Sequence, residues 1–380
     1  MVEVHTCTRS NKGGNKRATQ GRIANVVTDK LKSDGDVSPY ELRNWFMKTY
    51  IVDVKEGSVV EIDFELVGGK KLFKRFFICL AACSRGFVSC CRPYIGLDAC
   101  HLKGKFNGVL VAATGIDGNN SIFPITYCVL KSEKTQSWPW FLNSLKKAIR
   151  MPNGLVISSD MQKGLEVAIM NVYPNVEHRE CIRHLYSNFK KHFRGDFFNK
   201  KLWAATKTYR PTKHDRLLKE ISDKNEYAIA YLNTNHKKIW SRSKFGTTSK
   251  CDYITNNISK TFNYWIGKLR YKLFDKKRNL VNTWNDTLVP IAKNHLNDIA
   301  KNLGEYEVTR SCDNQAEVKY KGTRWEVNLD ERKCSCRVWR VQGRPCVHAV
   351  AFIAFIRDAN WDKYVDPYFT IKNFKAAYAF

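Results

Sequence analysis

Tyr94-Ile95-Gly96-Leu97-Asp98 and Leu155-Val156-Ile157-Ser158-Ser159-Asp160 bracket the stretch whose reading decides the fold. Each is a short apolar run ending on an aspartate, the pattern of a buried strand. Between them lie a basic turn, Ala99 to Lys105, and a second apolar run, Val109 to Thr114. Asp117-Gly118-Asn119-Asn120 is turn chemistry, and Ile122 to Leu130 follows as a third strand. Ser137 is an N-cap for a helix whose Trp138, Phe141, Leu142, Leu145 and Ile149 share one face.

Three antiparallel strands, a crossover helix and a parallel strand make an RNase H-like α/β core, which sets the ends of the first and fourth strands side by side. Asp98 and Asp160 then meet. Paired carboxylates suit hard divalent cations such as Mg²⁺ or Mn²⁺, and two-metal sites use them to hold ions about a scissile phosphate. Strand-end aspartates also serve as turn formers and helix caps, and spacing alone leaves both roles open.

Working outward, the 380 residues are enough for two or three domains, and 64 Lys plus Arg against 36 Asp plus Glu give a net charge of +28. A polyanionic partner is the natural inference. Thirteen cysteines, an odd number without a secretory segment ahead of them, argue for a reducing compartment. No apolar run reaches the ~18 residues that a membrane span needs. A nuclear location is expected.

Upstream, residues 1–22 form a basic tail, and 23–90 a small helical and strand region with two short helices before Tyr50. The core takes 91–194, with a fifth strand at Val176 to Cys181. Residues 195–305 read as a helical insertion anchored by Trp203, Trp240, Trp265 and Trp284. Cys181-Ile182-Arg183-His184 places a thiol and an imidazole three apart, with His184 read as facing phosphate or supporting the site.

Near the C-terminus, within 306–357, Cys334-Ser335-Cys336 is followed nine residues later by Cys346-Val347-His348. Three thiolates and one imidazole suit tetrahedral Zn²⁺. A hairpin (Ala316–Tyr320, Arg324–Leu329) would present the first pair and a helix the second, giving a ββα-like module. Arg337, Arg340 and Arg344 lie between the pairs as a phosphate-facing surface. Residues 358–380 read as a tail.

Taken together, Ile95-Gly96-Leu97-Asp98-Ala99-Cys100-His101-Leu102-Lys103-Gly104, the Ser137-Trp138-Pro139-Trp140-Phe141-Leu142 helix, Ile157-Ser158-Ser159-Asp160 and Cys181-Ile182-Arg183-His184 resemble plant Mutator-like transposases. The cysteine and histidine motif is similar to their SWIM zinc finger. The resemblance implies that Asp98 and Asp160 are the first two acids of an Asp-Asp-Glu triad, that His184 belongs to a Cys-x-x-His element, and that the partner is DNA, at terminal inverted repeats or derived sites, with a homo-oligomer compatible. The third acid is expected where Asn256-Asn257-Ile258-Ser259-Lys260 places a lysine. Asp252 and Asp286 are the nearest substitutes. His5-Thr6-Cys7 resembles the end of the family's N-terminal zinc-binding domain. These departures suggest a transposase-derived zinc- and DNA-binding protein with impaired strand transfer. An active transposase and a transcriptional regulator are the alternatives.

Overall fold

The computed structural model describes residues 56–101, 108–131, 136–160, 162, 164–256 and 270–379. The helices expected before Tyr50, the His5-Cys7 pair, Trp265 and Lys260 lie outside them.

Seven strands form the main sheet in the order β1-β2-β5-β4-β3-β6-β7. They are β1 (Val59–Val67), β2 (Lys70–Cys79), β3 (Arg92–His101), β4 (Val109–Ile116), β5 (Ile122–Leu130), β6 (Val156–Ser159) and β7 (Glu177–Glu180). The first five pair antiparallel, whereas β3 with β6 and β6 with β7 are parallel. Every residue of β4 and β6 is buried, as their continuous apolar character requires. The β1–β2 hairpin extends this same sheet rather than forming a separate region.

The two faces of β3 have different cover. Ile95, Leu97 and Ile157 point into the main core, with α1 (Ala81–Cys90), α2 (Ser137–Ile149) and α3 (Leu165–Val172). On α2 the apolar stripe expected from spacing is the buried face. On the opposite face Tyr94 and Val156 pack with Ile116 and Cys251. That cover is an irregular, extended segment, 245–256.

Among the described residues of 195–305, most are helical, with 236–256 the longest irregular run. Helices α4 (Ile182–His192), α5 (Asp196–Lys207), α6 (Pro211–Lys224) and α7 (Glu226–Asn235) share a second core with Trp240. Residues 236–240 then run beside β7, with Ile239 bridging Arg179. Helices α8 (Arg270–Val281) and α9 (Pro290–Ala300) return to the main core.

The C-terminal module is a four-stranded sheet, β11-β10-β9-β8. The expected hairpin is β9 (Gln315–Tyr320) and β10 (Thr323–Asn328), flanked by β8 (Glu307–Cys312) and the short β11 (Lys333–Cys334). Helices α10 (Val338–Gln342) and α11 (Val347–Phe355) complete it. Residues after 357 are not a loose tail. Helix α12 (Ile371–Ala377) packs on α1, and Phe369, Ile371, Phe374 and Tyr378 are buried in the main core.

Candidate functional site

Asp98 and Asp160 owe their placement to register. Tyr94, Ile95 and Gly96 stand opposite Val156, Ile157 and Ser158. Continuing that parallel register by two residues puts Asp98 beside Asp160, on neighbouring strand paths about 4.8 Å apart and on one face of the sheet. β3 itself continues to His101, so Asp98 lies within the strand, at the point where its β6 neighbour ends. Both residues are half-buried.

The covering segment reaches the same point. The Asn256 amide side chain donates to the Leu97 carbonyl, the peptide oxygen just before Asp98. The Asn256 backbone N–H donates to Cys181 Sγ at 3.3 Å, and Cys181 N donates to the Ser159 carbonyl at 3.0 Å, just before Asp160. Cys181 caps α4, whose first turn carries His184. Burial raises the Cys181 thiol pKa, but hydrogen bonds from His184 and the Asn256 amide outweigh it, so the net shift is downward. His184 thus acts on the thiol that receives the Asn256 N–H, in the residue whose own backbone N–H holds the strand end.

The proposed substitute acids do not join the pair. Asp252 Oδ2 accepts from Tyr209 Oη at 2.5 Å and Gln342 Nε2 at 3.1 Å, and pairs with Arg242 at 3.1 Å. Burial opposes its ionisation, yet Arg242 and these donors bring its pKa below the usual carboxylate range. Asp286 lies toward the other end of the sheet. It pairs with Lys293 at 3.3 Å on α9, and Ile291 at the start of that helix donates to Asn119, in the turn that the β3–β4 register places beside Arg92, about 20 Å along β3 from Asp98. Among the described residues no third acid or histidine converges with Asp98 and Asp160.

A second site is fully assembled. Cys334, Cys336, Cys346 and His348 are all buried, and their ligand atoms lie within 4.8 Å of one another. His348 Nδ1 is 3.5 Å from Cys334 Sγ and 3.8 Å from Cys346 Sγ. Tetrahedral zinc, with Zn–S near 2.3 Å and Zn–N near 2.0 Å, requires S···N edges of about 3.5 Å. The donor set fits Zn²⁺. Hydrogen bonds from Cys334 and Cys346 push the Cys336 thiol pKa down, the direction that favours metal ligation. Trp325 stacks on the His348 ring at 3.9 Å and fixes its plane.

Two arginines of the intervening loop face inward, contrary to the phosphate-facing expectation. Arg337 donates to the Ser243 and Phe245 carbonyls, the latter at 3.0 Å. The Arg344 guanidinium lies over Phe369, 5.4 Å from the ring centroid, and burial lowers its pKa. Only Arg340 is exposed.

A comparison with protein-family models matches residues 94–188 to the MULE transposase domain and residues 325–352 to the SWIM zinc finger. The chain carries both modules. The MULE match begins at Tyr94 and runs through α4, so it encloses both aspartates and the Cys181–His184 element. The SWIM match encloses all four zinc ligands. No curated protein matches the chain.

Proposed function

We propose that this is a DNA-binding protein derived from a Mutator-like transposase, with an RNase H-like core whose strand-transfer chemistry is impaired, acting in the nucleus. The carrying observation is the in-register placement of Asp98 and Asp160 inside the MULE domain, without a third acid among the described residues. Mg²⁺ or Mn²⁺ between such carboxylates would polarise a phosphate and activate water. Lys260, four residues beyond Asn256 in the sequence, occupies the position of the family's third acid. Its ammonium would repel the ion, by about 4 kcal/mol per unit charge at ~4 Å in a partly exposed site.

Surface charge supports the DNA partner. Residues 181–256 contain 17 Lys and Arg against 6 Asp and Glu. Helix α4 starts at the aspartate end of the sheet and carries no acid. Exposed Arg183, Lys190, Lys191 and, just beyond it, Arg194 make a basic track about 16 Å long leading from the site.

The test is divalent-metal-dependent nicking of labelled terminal-inverted-repeat DNA by the natural protein, Lys260→Glu and Asp98→Asn. Binding without nicking, with cleavage gained in Lys260→Glu, is expected. Cleavage by the natural protein that Asp98→Asn abolishes would refute the impairment. For DNA binding, Lys190→Glu with Lys191→Glu should weaken affinity for all sequences and flatten the salt slope by about one unit per lost contact.

A further inference from the structure

The SWIM loop between the two ligand pairs, residues 337–345, makes a concentrated set of contacts with the rest of the chain. Arg337 donates to the Ser243 and Phe245 carbonyls. Gln342 Nε2 donates to Tyr209 Oη at 2.8 Å and Asp252 Oδ2 at 3.1 Å. Lys250 Nζ reaches the Arg340 carbonyl at 3.4 Å, and a Cβ on Gly343 would meet Lys250 Cβ at 3.0 Å. His295 Nε2 lies 2.9 Å from the Pro345 carbonyl. Cys336 and Cys346 flank this loop directly, so zinc ligation pins it at both ends.

What the loop holds is the strap, residues 241–256, that covers the aspartate face of the sheet. From below, buried Arg179 of β7 stacks on Phe245 at 3.7 Å and donates to the Cys251 carbonyl at 2.7 Å and Ser249 Oγ at 3.3 Å. Beyond these anchors, Ile182 N donates to the Ile254 carbonyl at 2.9 Å, and Asn256 meets Leu97 and Cys181. The strap is clamped between Arg179 and the SWIM loop, and its far end bonds the peptide before Asp98 directly and the peptide before Asp160 through Cys181. We infer that the SWIM finger is a metal-dependent clamp on the transposase core, with Arg337 and Gln342 as positioning residues that hold Asn256 at the aspartate strand ends.

The test uses the full chain and amide hydrogen exchange resolved by peptide. Arg337→Met with Gln342→Leu keeps all four zinc ligands, and bound zinc is quantified to confirm it. Exchange across 243–256 should accelerate at least tenfold, while β4 and α11 amides stay protected. Arg337→Lys alone, retaining one donor, should fall between. Alkylation of Cys181, 1% exposed beneath Asn256, should rise in parallel in the double variant. Zinc removal should produce the same loosening of the strap. Unchanged strap exchange in the double variant with zinc bound would overturn the inference. So would a strap that stays protected after metal removal.

Discussion

Acidification should loosen the sheet at the very strand end that carries Asp160, through His178. This imidazole sits on β7, with Nε2 2.8 Å from the Ser159 hydroxyl at the end of β6. Burial, reinforced by the positive charge of Lys238 and partly offset by Glu166, lowers its pKa from 6.5 to about 4. The folded chain therefore keeps the ring neutral where the unfolded chain protonates it. Between those two values the unfolded state binds more protons, so stability is intact above pH 6.5 and is lost as pH falls toward 4. A shift of this size corresponds to roughly 3 kcal/mol when fully expressed, and about 2 kcal/mol of it should appear between pH 7 and pH 5. The assay is urea unfolding at pH 7, 6 and 5 for the natural protein and His178→Gln. His214 and His295 are also held neutral by burial, so the natural protein's total loss has several contributors. The difference between the two pH profiles isolates His178. His178→Gln should lose about 2 kcal/mol less over this range. Parallel profiles would refute the reasoning.

The zinc and C-terminal packing give two more expectations. Cys346→Ser, or a strong chelator, should unfold the C-terminal module and expose Trp339 and Phe352 to proteolysis, since structural zinc contributes about 10 kcal/mol or more in small fingers. Unaltered protease resistance would contradict it. Tyr378→Phe should lower thermal stability by about 1–3 kcal/mol, because it removes the 2.8 Å hydrogen bond to fully buried Asp117 while keeping the ring against Phe123 and Phe274. An unchanged melting temperature would refute this, showing that Lys277, 3.7 Å from Oδ2, and the Asn119 and Ser121 amides on Oδ1 satisfy the carboxylate without the tyrosine.

How far the sequence could be read depends on where each signal came from. Strands β3 to β6 were legible because burial on both faces forces continuous apolar runs, and the zinc set because ligand type and spacing are dictated by the metal. Helix α1 was not. It has no side-chain cap and no acid in its first turn, and it contains Gly86. The glycine follows from tertiary contact, since a Cβ there would come within 2.2 Å of the Ala377 carbonyl on α12. Helix α12 passed as a tail although Ile371, Phe374 and Tyr378 repeat at helical spacing. Its seven residues are too few to stand out without the surface they cover.

The arginines were the deeper miss, and they qualify how the net charge should be interpreted. The parallel part of the sheet, β3-β6-β7, needs cover on both faces, and here one face near the aspartates is covered by extended backbone instead of helix. Such a segment exposes peptide carbonyls that no ladder satisfies, and buried carbonyls require partners. Guanidinium groups supply them. Arg179 serves Cys251, Arg242 serves Asp252 at 2.9 Å, and Arg337 serves Ser243 and Phe245. These three charges, with Arg344 over Phe369, are spent inside the fold. The net charge of +28 therefore does not measure the charge available to a polyanion. The salt dependence of binding should follow the exposed track along α4 more closely than total composition.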